Sequence, residues 1–159
     1  MKSIKDKKNF YICCMLTNQS KYAIRAILYL AVYTDIDKKM GSKEVAEKIK
    51  IPAPFLAKIL QKLVKNKIIS SAKGPNGGFY LTENNLQTTM LNIVAAVEGL
   101  DILSECFLGL PRCGDENPCA IHHLIAPFKD TILKEMGEKT IKQYAEETKK
   151  GKYFLFLDD

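Results

Sequence analysis

A mainly α fold with one small β hairpin is the class this sequence predicts, and three observations carry it. Apolar residues recur at helical spacing in three successive segments between residues 20 and 64. β-prone flanks around a Gly/Pro/Asn turn follow at once, over residues 68–81. Beyond a loop rich in cysteine, glycine and proline, an apolar stripe again steps at helical intervals from residue 121 to residue 136. Helices and a hairpin in this order make a winged helix-turn-helix domain, and the stripe makes a long dimerisation helix.

From Ser20, the positions Ala23, Ala26, Ile27, Leu30 and Ala31 form one face of an amphipathic helix ending near Tyr33. Asp35, Asp37, Lys38 and Gly41 form a polar loop, after which Ser42 is expected to cap a short helix burying Val45, Ala46 and Ile49. Lys50, Ile51 and Pro52 interrupt it. Pro54 suits the first position of a third helix, with Leu56, Ile59, Leu60, Leu63 and Val64 inside and Lys58, Lys62 and Lys65 on its polar side. The hairpin flanks, 68–73 and 79–81, enclose Gly74, Pro75, Asn76, Gly77 and Gly78. A glycine-rich tip lets the backbone approach a narrow surface such as a DNA groove, and the same glycines also suit turn dihedrals.

Met90, Ile93, Val94 and Val97 give a further helix, stopped by Gly99, and residues 101–118 read as an irregular loop with Pro111, Gly114 and Pro118. The stripe that follows, Ile121, Leu124, Ile125, Phe128, Ile132 and Met136, needs a partner surface. It is assigned to a homodimer seam, with packing inside one subunit as the alternative. Pro127 implies a kink or restart, and Gly137 is expected to end the helix. Thr140 with Gln143 fits a capping box opening a last short helix, and no role is read for the apolar tail at 153–157.

At 159 residues and 17.9 kDa the chain is one compact domain, or a small domain with an appended dimerisation element. That excludes a large two-domain enzyme. With 47% hydrophobic and 26% charged residues it is an ordinary globular chain, which excludes disordered and collagen-like classes. Its apolar runs fall short of the roughly 18 residues a bilayer demands, and segment 10–16 is short and lacks a cleavage site. The expectation is a cytoplasmic protein with no membrane partner. Five Cys, an odd number, argue for thiols or metal ligands in a reducing compartment rather than a disulfide framework.

The net charge of +6 is unevenly placed: residues 1–90 hold 16 Lys/Arg against 6 Asp/Glu, residues 91–159 hold 8 against 12. A basic segment with few acids attracts polyanions, and each phosphate it neutralises releases counterions. Solvation of an ordinary surface explains the same lysines on charge alone. The helix-turn-helix pattern decides for nucleic acid.

Three Cys fall in the irregular loop, in the pattern C-x6-C-x5-C-x2-H formed by Cys106, Cys113, Cys119 and His122. A loop of this kind folds three thiolates around one centre while the start of a helix supplies a nitrogen ligand. Soft thiolates select iron-sulfur clusters, zinc or copper(I), and spacing leaves a Cys3His zinc site open beside a cluster. His123 is read as solvent-facing or hydrogen-bonded. Cys13 and Cys14, adjacent in a Lys-rich leader, are read as incidental.

The chain resembles the IscR-type (Rrf-two) winged-helix transcription regulators. The match begins at Met15 with MLTNQSKYAIRAILYLA and continues through EVAEKIKIPAPFLAKILQKLVKNKIISSAKGPNGGFYLT and LNIVAAVEG. It ends in the cysteine loop and TIKQYA, so it covers nearly the whole chain. The wing KGPNGGFYL together with the three-Cys loop is specific. The resemblance implies a homodimer on a roughly palindromic double-stranded operator, with a redox-labile cluster changing DNA affinity. It favours a 2Fe-2S cluster on Cys106, Cys113, Cys119 and His122, with 4Fe-4S known in other members, while members lacking the Cys sense through a protein partner. Two departures stand out: residues 1–14 precede the usual family start, and Ala57 replaces a polar base-contacting residue of some relatives.

In this frame Ala53, Pro54, Ala57 and Lys58 face base edges, the small residues meeting thymine methyls and Lys58 guanine acceptors. Ser20, Lys21, Tyr22 and Arg25 grip phosphates, and Lys73 and Asn76 enter the minor groove or hold its rim. The expected division is a leader at 1–14, disordered or not translated, a winged helix-turn-helix at 15–98, a cluster loop at 99–122, a dimerisation region at 119–148 and a tail at 149–159. Two alternatives are a cluster-free regulator of the same fold using zinc, thiol oxidation or a protein partner, and, more distant, a metal-dependent or thiol enzyme. For the enzyme, Cys119 and His122 offer a nucleophile and base, but no acidic pair, phosphate loop or oxyanion motif accompanies them. The expectation is no enzyme.

Overall fold

The computed structural model describes residues 16–154; the leader with Cys13 and Cys14, and tail residues 155–157, lie outside the described residues. The elements are α1 (Asn18–Tyr33), α2 (Ser42–Lys48), α3 (Ala53–Lys65), β1 (Ser70–Ala72), β2 (Gly78–Tyr80), α4 (Glu83–Leu86), α5 (Met90–Glu98), α6 (Asp101–Ser104), α7 (His122–Glu138) and α8 (Ile141–Lys149). This is the mainly α, single-hairpin architecture that the periodicity predicts.

α1 starts two residues before Ser20 because Thr17 caps it, its hydroxyl accepting from the backbone N–H groups of Gln19 and Ser20. Ser42 is the first helical residue of α2 rather than its cap, a place taken by Gly41, whose extended backbone needs no side-chain bond. Pro54 sits one position further in than expected, behind Ala53, still inside the first turn where no backbone N–H has an intrahelical partner. The α2–α3 turn passes through Lys50, a non-glycine residue at φ +51, and is closed by Ile51 N–H donating to Ala46 O at 2.9 Å.

Ala23, Ala26, Ile27 and Leu30 of α1, Val45 and Ile49 around α2, and Leu56, Leu60 and Leu63 of α3 close one apolar core with Ile93 and Val97 of α5. α8 joins the same core through Ile141 and Ala145, packed on α1, and its Thr140/Gln143 capping box is present. A smaller cluster of Val94, Leu103 and Met136 attaches the far end of α7 to α5.

β1 and β2 pair antiparallel in the register Ser70 with Tyr80, Ser71 with Phe79 and Ala72 with Gly78. The hairpin docks on the loop before α2: Phe79 N–H donates to Met40 O at 2.8 Å, and Met40 N–H to Phe79 O at 3.1 Å. That approach accounts for Gly78, since a Cβ there, at φ +154, would lie 2.6 Å from Met40 O. Gly77 is equally constrained, with Ala72 O only 2.4 Å from its notional Cβ. Contacts inside the chain therefore require both glycines.

Further expectations change. The four-residue helix α6 appears where loop was expected, and α4, equally short and closed by a Thr82/Asn85 capping box, occupies a stretch for which no element was read. Pro127 costs α7 one backbone hydrogen bond but does not end it, and the helix runs as one element from His122 to Glu138. Gly137 lies inside that helix. A Cβ at this position would meet Leu91 Cδ2 at 3.4 Å, an ordinary contact, and the helix continues one residue past the glycine to Glu138.

Candidate nucleic-acid interface and cysteine centre

On α3, the buried Leu56, Ile59, Leu60 and Leu63 fix which side faces outward. Pro54 and Lys58 are exposed there, and Ala53 and Ala57 are partly exposed. Lys62 and Lys65 are exposed too, but Lys62 Nζ donates to Val97 O at the end of α5, tying α3 to α5. At the hairpin tip Lys73 and Asn76 are exposed.

The expected phosphate grip at the start of α1 divides. Ser20 is fully buried and is removed from the candidate set, because it falls on the same helical face as Ala23 and Ile27. Its Oγ has no hydrogen-bond partner among the described residues. Tyr22 is partly buried, its ring edge-on to Phe55 of α3 with centroids 5.7 Å apart, a contact sequence reading missed. Arg25 donates from Nη2 to Ile49 O, so part of its guanidinium holds the helix-turn-helix corner. Lys21 is partly exposed.

The loop after α5 brings the three cysteines together. The sulfurs of Cys106, Cys113 and Cys119 all lie within 4.8 Å of one another, each partly buried. His122, first residue of α7, places Nδ1 3.2 Å from Cys113 Sγ, and Asp115 Oδ1 lies 3.1 Å from its Nε2. The loop is shaped by backbone bonds from Gly109 N–H to Cys106 O at 2.8 Å and from His122 N–H to Cys119 O at 3.0 Å. Gly109, at φ +71, makes the first of these turns. Lys129 of α7 donates to Glu105 O, closing the loop onto the helix. Cys106, Cys113, Cys119 and His122 line a cavity of about 330 Å³ whose other wall includes Phe107 and Leu133.

The thiols differ electrostatically. The backbone N–H of Leu110 bonding its sulfur, aided by that of Leu108 and by the other two thiols, brings Cys106 down to about 7. For Cys113 the backbone N–H of Cys119 pulls down, yet desolvation and the neighbouring Cys119 and Cys106 sulfurs outweigh it and raise the thiol. Three soft donors in one cluster with an imidazole against them form a set that fits a thiophilic metal ion or an iron-sulfur cluster. His123 is exposed, its ring edge-on to His122. Sequence reading missed Asp115 and Lys129, whose one signal was position: Asp115 stands two residues after Cys113.

No helix among the described residues is long and apolar enough to cross a membrane. The family Rrf2, described as an iron-dependent transcriptional regulator, matches residues 16–147. An HTH-type transcriptional regulator of Aquifex aeolicus is 34% identical over 124 residues, covering 77% of this chain and 85% of its own. The HTH-type transcriptional regulator IscR of Pectobacterium atrosepticum is 25% identical over 126 residues, covering 79% and 76%. Among solved structures, CymR, the global cysteine regulator of B. subtilis, superposes with a TM-score of 0.65 at 18% identity over 82% of this chain and 95% of its own. IscR of T. potens gives 0.66 at 17% identity over 87% and 91%. The structural matches show the shared winged-helix fold, and the sequence matches carry the conclusion that this chain belongs to the Rrf2 family of DNA-binding transcriptional regulators.

Proposed function

We propose that the chain acts as a homodimer on a roughly palindromic operator, and that an iron-sulfur cluster held by Cys106, Cys113, Cys119 and His122 sets operator affinity. The observation that carries this reading is the convergence of three sulfurs within 4.8 Å beside an imidazole, on a regulator of a family described as iron-dependent. A bound cluster supplies sensitivity to oxygen, nitric oxide and cluster scarcity. The protein's part is mechanical: residues 101–122, held against α7, fix the separation of the two α3 helices. Releasing that loop shifts operator affinity by the difference between the two states. Three thiolates and one imidazole suit 2Fe-2S first, with 4Fe-4S the other outcome.

The dimer reading rests on α7. Leu124 is 73% exposed and Phe128 55% in the single chain, and Leu108 and Leu110 of the cysteine loop are also exposed. A second copy of α7 covers such a stripe. On DNA, Ala53, Pro54, Ala57 and Lys58 meet base edges, Lys21, Tyr22 and the free part of Arg25 meet phosphates, and Lys73 with Asn76 meet the minor groove. Anaerobic purification with a visible spectrum and iron and acid-labile sulfide assays, on wild type and Cys113→Ser, tests the cluster. Colour with matched iron and sulfide, bleached in the variant, is the expected result; a colourless wild type that resists reconstitution overturns it.

One observation favours a second reading. The three sulfurs lie within 4.8 Å of one another and backbone N–H groups lower the Cys106 thiol to about 7, which suits a cluster-free switch by thiol oxidation, driven by a cellular oxidant, or a zinc-held loop. Both leave the protein colourless.

A further inference from the structure

Both ring nitrogens of His122 are engaged by one short stretch of chain: Nδ1 by Cys113 Sγ at 3.2 Å and Nε2 by Asp115 Oδ1 at 3.1 Å. Asp115 is held in place locally. Gly114 and Asn117 exchange backbone hydrogen bonds in both directions, at 3.3 and 3.1 Å, and close a tight turn with Asp115 at its tip. His122 is equally fixed, as the first residue of α7, with its side chain 16% exposed. A carboxylate only accepts hydrogen bonds, so the proton of a neutral imidazole at this distance sits on Nε2. The lone pair of Nδ1 is then directed at Cys113 Sγ, one of the three clustered sulfurs.

We propose that Asp115 is a positioning residue for the cysteine centre: by accepting the Nε2–H of His122 it selects the tautomer and ring orientation that keep the Nδ1 lone pair on the Cys113 side of the thiol group, available as a fourth donor. The proposal rests on reading the thiol group as a metal or cluster site, and it adds a residue outside the expected ligand set. A carboxylate behind a histidine ligand fixes the ring and increases its basicity, and removing such a partner typically costs 10- to 100-fold in metal affinity. Asp115 is fully exposed, so substituting it does not disturb the core.

The test uses the reduced, metal-free full chain under anaerobic conditions and titrates it with cobalt(II) alone, reading thiolate-to-cobalt charge transfer and the ligand-field bands. Asp115→Ala is expected to weaken cobalt binding about 10- to 100-fold and shift the ligand-field bands, whereas Asp115→Asn, which keeps an acceptor oxygen, loses less. In a His122→Ala background Asp115→Ala is expected to change nothing further, because the aspartate acts only through the imidazole. An equal loss in that background shows Asp115 to be a simple charge attracting the cation, which overturns the proposal. Wild-type affinity and spectrum in Asp115→Ala overturn it too, with the cysteine site left standing. A wild type that takes no cobalt removes both together.

Discussion

Substituting Gly78 with alanine tests how the wing is held. The new Cβ would sit 2.6 Å from Met40 O, 2.7 Å from Met40 C and 2.9 Å from Met40 N, all backbone atoms that no side-chain rotation relieves. The hairpin must therefore move away, giving up the two backbone bonds between Met40 and Phe79 at 2.8 and 3.1 Å. At about 1 kcal/mol each, with about 1 kcal/mol more for an L side chain at φ +154, the cost is about 3 kcal/mol. For a chain of this length that lowers Tm by on the order of 10 °C. Gly74→Ala is the internal control: its φ is +106, but its Cβ meets nothing within 4 Å, so only the dihedral cost of about 1 kcal/mol remains. Thermal melts by circular dichroism on both variants decide the matter. A Gly78→Ala protein no less stable than Gly74→Ala refutes the steric argument.

Lys73→Ala should weaken DNA binding on every sequence and reduce the slope of log affinity against log salt by about 1, whereas Lys58→Ala should cost about 1–3 kcal/mol on the preferred operator and relax discrimination, both read by fluorescence anisotropy. Leu124→Glu with Phe128→Glu should give a monomer in sedimentation equilibrium while helical content is retained, because neither side chain supports the single-chain core. Glu147 is held down to about 2 from the usual 4.5 by the side chains of Lys139, Lys152 and Tyr153. A lowered carboxylate stabilises the fold fully above its unfolded value, and this is lost as pH falls towards its folded value. Glu147→Gln should therefore melt below wild type at pH 6, and the gap should close between pH 4.5 and pH 2.

Much of this architecture was legible because apolar period is a strong signal over nine or more residues. The faces of α1, α3, α5 and α7 each show it, and the hairpin announces itself through Gly, Pro and Asn. α4 and α6 span four residues each, barely one turn, and no period can be read from that length. Ser20 was misplaced because residue type suggested the surface while helical spacing put it inside. Gly78 illustrates a different limit: glycine in a sequence signals backbone freedom or close approach, and only the packed neighbour, Met40, shows which. The cysteine spacing pointed to one centre, which the three sulfurs form. Asp115 was not legible, since its place beside His122 depends on a turn made by Gly114 and Asn117.

Whether the cysteine centre sets DNA binding is tested by operator affinity, on a sequence selected from random DNA, of one anaerobic preparation before and after its cluster is removed by nitric oxide. The expected result is a change of at least tenfold on that operator, about 1.4 kcal/mol, and no change in a Cys113→Ser protein. Equal affinity of the loaded and stripped wild type would contradict it.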